Sequence, residues 1–118
     1  PVLAPVGYWE DQPGQLMNVN ADTVAGDVAA AVGASQLIFL TDVAFVRDGS
    51  GNAISALEPG AVEELIGAGV ASGGMIPKLR AGARAAAAGV PCHIVDGREE
   101  HALRDVLRGQ GMGTLVSA

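Results

Sequence analysis

Four aromatic side chains, one cysteine and one lysine are all that 118 residues contain of those types. Each scarcity narrows the reading. Aromatics are 3% of a chain that is 49% hydrophobic, so its interior has to be built from Ala, Val, Leu and Ile. The lone Cys92 excludes an internal disulfide and suits a reducing, cytoplasmic setting. Its place in an apolar strand makes it a small core residue rather than a nucleophile. Lys and Arg number 7 against 13 Asp and Glu, a net charge of −6 with no basic run, which argues against nucleic acid and anionic membrane surfaces as partners. No apolar run approaches the ~20 residues of a membrane span, and no signal-peptide pattern is present. The sequence holds no Walker A pattern, no Gly-x-Gly-x-x-Gly fingerprint after a strand and no recognisable Ser/His/Asp arrangement. His93 and His101 lack companions at metal-ligand spacing and read as a core histidine and a helix-start histidine.

What is present is an alternation of strand and helix. Val2 to Val6 reads as a buried strand, Gly7 to Gln15 as a hairpin loop turning at Pro13-Gly14, and Leu16 to Val19 as a short strand. Trp9 in that loop reads as a surface or interface contact. From Ala21 the apolar residues fall at Val24, Ala25, Val28, Ala29 and Val32, a helical stripe that Gly33 stops. Leu37-Ile38-Phe39-Leu40 is a continuous apolar run, the mark of a strand covered on both faces. Arg47 to Asn52 is a turn closing a small hairpin; it lacks the glycine and closing glutamate of a calcium loop. A second helix carries Val62, Leu65, Ile66 and Gly69 after Pro59. A third carries Ile76, Leu79, Ala83, Ala86 and Val90 after Gly73-Gly74 and Pro77. Cys92 to Val95 is a strand leaving through Asp96-Gly97, Ala102 to Leu107 a fourth helix, and Thr114 to Val116 a last strand. The pattern predicts one α/β domain, residues 1–118, a three-layer α/β/α sandwich around a mostly parallel sheet. The start on Pro1, directly into an apolar run, reads like a cut from a longer polypeptide.

Ligands of such sheets bind beyond the carboxyl ends of the strands. Three polar groups fall there: Asn18 to Asp22, Thr41-Asp42, and the loop before the third helix. The first has two readings, a capped helix start with Asn20 as N-cap and Asp22 in the first turn, or an anion-binding junction. Lys78 follows a glycine pair that lets backbone approach a ligand, at a helix start with its own positive potential. There it is either a compact contact to a transferring phosphoryl group or an ordinary surface lysine.

Taken together, Asn18 to Gly26, Leu40 to Val43, Ser72 to Lys78, His93 to Arg98 and Gly111 to Thr114 resemble the C-terminal half of the N-acetylglutamate kinases, within the amino acid kinase family. The resemblance covers essentially the whole chain in order. It implies transfer of the γ-phosphoryl of ATP, with Mg²⁺, to the side-chain carboxylate of N-acetylglutamate in arginine biosynthesis. It also implies a cytoplasmic homo-oligomer. By this resemblance Lys78 stabilises charge on the transferring phosphoryl and Asp22 orients the catalytic lysines, while Asn18 and Asn20 mark the substrate side. The segments Asp42-Val43-Ala44-Phe45-Val46-Arg47 and Val70-Ala71-Ser72 with Gly74 correspond to the nucleotide-binding edges. No residue is expected to be a metal ligand, because Mg²⁺ would be held mainly by phosphate oxygens.

Three departures qualify the resemblance. The family's glycine after the Thr-Asp-Val run is replaced by Ala44-Phe45. The helix after Asp96-Gly97-Arg98 lacks the glutamate of arginine-inhibited members. The family's N-terminal half, with its own lysine, glycine pairs and substrate arginine, has no counterpart here, so the 118 residues are expected to be catalytically silent alone. Two other readings stay open: an arginine-sensing kinase-like domain of an N-acetylglutamate synthase, and a kinase for a carrier-linked aminoadipate.

Overall fold

The structure, a computed structural model, describes residues 1–118. Strands β1 (Val6–Tyr8) and β2 (Leu16–Asn18) form an antiparallel ribbon, with Val6 opposite Asn18 and Tyr8 opposite Leu16. Between them Gln15 N–H donates to the Gln12 carbonyl and Gly14 takes a φ of 88°, the left-handed conformation a Pro-Gly turn requires. The first strand starts later than the apolar run suggests. Val2 and Leu3 are exposed rather than buried, and Pro5, without an N–H, contributes only its carbonyl, which accepts from Val19.

Helix α1 (Ala21–Val32) is followed by β3 (Leu37–Thr41), then by a small hairpin of β4 (Val46–Arg47) and β5 (Ala53–Ile54). β6 (Ala56–Leu57), α2 (Ala61–Gly67), α3 (Met75–Ala87), β7 (Cys92–Asp96), α4 (Ala102–Leu107) and β8 (Thr114–Val116) complete the chain. The central sheet runs β3-β7-β8-β6. β3 and β7 are parallel, as are β6 and β8, and β7 meets β8 antiparallel. The sheet is thus mixed, mostly parallel, in an α/β sandwich.

The side chains alternate as the pleat demands. Phe39, Cys92, Ile94 and Val116 join Leu79, Ala81, Ala86 and Val62 in one core under α2 and α3. Val95 projects to the other face, where α4 lies against β7. Two glycines let α3 sit deep. A Cβ on Gly82 would come within 2.9 Å of Cys92 Sγ, and one on Gly26 within 2.8 Å of the Ala81 carbonyl oxygen. Helix α3 ends one turn before the predicted Val90, because Gly89 takes a φ of 86°. Val90 is still buried, packed with Ala29 and Ala85.

Candidate functional site

Asn20 caps α1: its Oδ1 accepts from Thr23 N–H at 3.0 Å and from Thr23 Oγ1 at 3.3 Å. Asp22 therefore sits in the first turn, where the helix dipole favours a negative charge. Helix α3 runs parallel to α1. Asp22 lies opposite Lys78, Gly26 opposite Ala81, and Asp27 opposite Arg84, whose Nε donates at 3.2 Å. The close crossing at Gly26 brings the two helix starts together, and Lys78 Nζ lies 3.0 Å from Asp22 Oδ2. Their side chains keep 25% and 19% of their surface, so the pair is half-sheltered yet reachable. One bond to one oxygen leaves the ammonium further donors for a ligand.

In front of Lys78 is a cleft of about 320 Å³ lined by Thr41, Asp42, Val43, Ser72, Gly74, Met75 and Lys78. Its floor is the carboxyl end of β3. There Thr41 Oγ1 lies 3.1 Å from the Val95 carbonyl and accepts from Val43 N–H at 3.1 Å. The turn at Gly73 (φ 55°) feeds straight into α3, whose start faces the cleft. Of the predicted site residues, Lys78, Asp42, Val43, Ser72 and Gly74 thus share one cleft.

Others are distributed differently. Val46 and Ala71 are buried in the core, so only their backbone can meet a ligand. Val70 is half-buried near Gly49, Phe45 is half-buried, and Arg47 Nη1 donates to the Gly51 carbonyl at 2.7 Å. Ala44 lines a neighbouring acidic cleft with Asp96, Glu99, Glu100 and Asp105. Asn18 ends β2 and is exposed; the oxygen of Asn20 is committed to the cap, leaving its amide nitrogen free for other contacts.

Two devices lie in segments that carry the resemblance but received no role from sequence reasoning. Thr114, 1% exposed, accepts from Val46 N–H at 2.9 Å and donates to the Ile54 carbonyl at 2.6 Å, tying the β4–β5 hairpin to β8. At the end of β7, the Asp96 carboxylate takes three bonds from Arg98, which hold its pKa down at about 2. The local spacing Asp-Gly-Arg was a usable signal for the second; nothing local marks the first. Burial pushes the Cys92 thiol up to about 12 and lowers the pKa of His93, so Cys92 is no nucleophile at neutral pH. No group of three or more His, Cys, Asp or Glu side chains converges as a metal cage.

The chain is 46% identical, over 120 aligned positions, to an acetylglutamate kinase of Methylobacillus flagellatus, covering all of this chain and 40% of that protein. An acetylglutamate kinase of Bordetella avium is 44% identical over the same length and is covered to 39%. The chain therefore spans about 40% of the length of the curated relatives it matches. Among solved structures, smu.665 from Streptococcus mutans superposes with a TM-score of 0.81 at 34% identity, over 100% of this chain and 42% of that one. An N-acetylglutamate synthase from Neisseria gonorrhoeae, complexed with coenzyme A and L-arginine, shares the fold with a TM-score of 0.83 at 22% identity, over 98% and 27%. The family model for the amino acid kinase family matches residues 1–96, the stretch that holds the Asp22–Lys78 pair and the cleft before it, and the chain belongs to that family.

Proposed function

We propose that these 118 residues are the nucleotide-binding, C-terminal portion of a cytoplasmic acetylglutamate kinase, which moves the γ-phosphoryl of ATP onto the side-chain carboxylate of N-acetyl-L-glutamate. The observation that carries the proposal is the 3.0 Å contact between Lys78 and Asp22 at the head of two parallel helices, beside a cleft at the carboxyl end of β3. Identity of 46% to an acetylglutamate kinase supports this choice of substrate.

The chemistry follows from charge. Phosphoryl transfer between a polyphosphate and a carboxylate gathers negative charge, and catalysis consists of positioning and of fixed positive groups. Lys78 is the residue for the second task, its ammonium aimed by Asp22 rather than left to wander on four methylenes. The start of α3 adds backbone dipole in the same direction. The loops Asp42 to Arg47 and Val70 to Gly74 form the nucleotide edges, with Val46 and Ala71 acting through backbone only. Asn18 and Asn20 lie on the acceptor side. Mg²⁺ arriving on the nucleotide would be held mainly by phosphate oxygens. The metal's contribution is to neutralise charge on the β- and γ-phosphates.

The test is a coupled assay of the full-length protein with Mg-ATP and N-acetyl-L-glutamate, beside calorimetry with L-arginine. Turnover of that acid supports the kinase. Tight arginine binding with neither nucleotide binding nor turnover would make the domain an arginine sensor, the reading favoured by the arginine-bound synthase of the same fold.

A further inference from the structure

The wall of the cleft that carries Asp42 is held by almost nothing from the backbone. Between the end of β3 at Thr41 and the start of β4 at Val46, no backbone–backbone hydrogen bond involves Asp42, Val43, Ala44 or Phe45. A segment whose polar backbone finds no partner in the chain has little to fix its shape. Two hydroxyls stand in for the missing bonds. At the far end, Thr114 Oγ1 accepts from Val46 N–H at 2.9 Å. At the near end, Thr41 Oγ1 accepts from Val43 N–H at 3.1 Å. It lies 2.9 Å from the Val43 carbonyl oxygen and 3.1 Å from that of Val95.

Of the two threonines, Thr41 is the one that lines the cleft, next to Asp42 and Val43. Its backbone is fixed by the sheet: Thr41 is the register partner of Asp96, and its carbonyl accepts from Gly97 N–H at 2.8 Å. A hydroxyl that accepts from the amide two residues on closes a tight turn, here with Asp42 at its apex. The bond toward Val95 fastens that turn to β7. A hydroxyl carries a single proton. The carbonyls of Val43 and Val95 share it, so none remains for a polyphosphate, whose oxygens only accept. Thr41 therefore shapes the cleft wall without gripping what enters.

We infer that Thr41 is a positioning residue of the nucleotide site: its hydroxyl pre-sets the turn from Thr41 to Val43, so that a nucleotide meets a wall already in shape. This rests on the nucleotide-binding reading of the loop given above. Without the hydroxyl, the stretch from Asp42 to Phe45 keeps only the tie at Val46, and the cost of ordering it falls on nucleotide binding. The acceptor side, with Asn18 on β2 and Asn20 at the head of α1, receives no bond from this hydroxyl. Affinity there is unaffected.

The experiment compares the full-length parent with Thr41→Val, which keeps the shape and loses the hydroxyl, and with Thr41→Ser, which keeps the hydroxyl. Calorimetry with Mg²⁺ and the non-hydrolysable nucleotide AMP-PNP gives Kd, and steady-state kinetics gives KM for ATP and for the acceptor. Thr41→Val is expected to weaken nucleotide binding about tenfold, the scale of one lost hydrogen bond, with KM for the acceptor at the parent value. Thr41→Ser should recover most of that loss. A purely structural role predicts something else: a fall in melting temperature with equal losses for both ligands. That outcome, parent-like nucleotide affinity of Thr41→Val, or no recovery by Thr41→Ser would each overturn the inference. Hydrogen exchange followed by NMR on the ligand-free parent supplies a test that needs no variant to fold. The Val43 amide should exchange about tenfold or more slowly than those of Asp42 and Ala44, which have no partner. Equal exchange at all three would mean that the turn is not pre-set. A parent that binds no nucleotide overturns the kinase reading and this one with it.

Discussion

Two carboxylate–cation pairs stand at the carboxyl end of the sheet, and they are built in opposite ways. Asp96 and Arg98 are two residues apart, joined by three bonds, with the acid buried and the base outside. Asp22 and Lys78 are 56 residues apart, joined by one bond, with both partners half-sheltered. The first pair needs only a turn to form. The second exists only because α1 and α3 cross closely, so it reports on the whole helix packing. A multiply bonded pair holds structure in place, whereas a singly bonded ammonium at a helix start retains donors for a ligand. Proximity of charges alone thus does not mark the reacting group; the spare bonding capacity does.

The hardest blow to that distinction comes from Lys78→Ala in the full-length enzyme. Loss of a cation that acts on the transferring phosphoryl is expected to lower kcat by about two to three orders of magnitude, with KM for Mg-ATP little changed. Steady-state kinetics reads this directly, and a variant turning over at near-parent rate would put Lys78 in the same structural class as Arg98.

Next in size is Gly26→Ala. Its Cβ would meet the Ala81 carbonyl oxygen at 2.8 Å and Ala81 Cβ at 2.9 Å, contacts that backbone must relieve by moving. The helices are pushed apart where they set the Asp22–Lys78 distance. A stability loss of about 1–3 kcal/mol is expected, the usual range for overpacking, despite alanine's better helix propensity. Denaturant unfolding measures the first effect, and a fall in kcat should accompany it. The Asp96–Arg98 unit, being local, should keep its three bonds.

How much of this could be read from the chain depends on the reach of each interaction. Helix α1 announces itself because Asn20 and Gly33 punctuate an apolar stripe, and β3 because it is a short apolar run; the expectation that β3 is covered on both faces fails, since it is an edge strand with Phe39 buried and Leu40 52% exposed. The Arg47 to Asn52 turn does close the hairpin of β4 and β5. β6 was invisible: two residues, Ala56 and Leu57, carry no period, and only pairing with Leu115 and Val116 makes them a strand. The first strand was placed too early because Val2 and Leu3 look like core and are exposed. Within the cleft, the types and loops of Lys78, Asp42 and Ser72 were visible, while their convergence depends on the crossing at Gly26. The role of Thr114 in tying the hairpin could not be found, since its two partners lie 68 and 60 residues away.

A smaller effect separates the pairs by pH. Asp96 titrates near 2 in the folded chain, below the ~3.9 of an unfolded aspartate. A depressed carboxyl contributes stability that is present above the unfolded value and is lost as pH falls through the folded one. Asp96→Asn should therefore be less stable than the parent by a constant amount above about pH 5, and the gap should close between about pH 4 and 2. Unfolding midpoints measured across that range check it. A gap that persists unchanged at pH 2 would mean that packing, not charge, distinguishes the two proteins.

The smallest effect asks whether Asn20 belongs to the helix alone. Its Oδ1 holds the Thr23 N–H and hydroxyl, and Asn20→Ala should cost about 1 kcal/mol, the ordinary loss of an N-cap. That loss should leave the Asp22–Lys78 contact standing, because the packing of Gly26 on Ala81 and of Ala29 with Ala85 holds α1 one turn further along. Asn20→Ser sharpens the question, since serine keeps the cap and removes the amide nitrogen that remains free for a ligand. Unfolding and acceptor kinetics are measured on both variants. If Asn20→Ser restores stability and leaves KM for the acceptor at the parent value, the residue is a cap and its place on the acceptor side is incidental. If stability returns while KM stays raised, the same side chain ends a helix with its oxygen and holds substrate with its nitrogen.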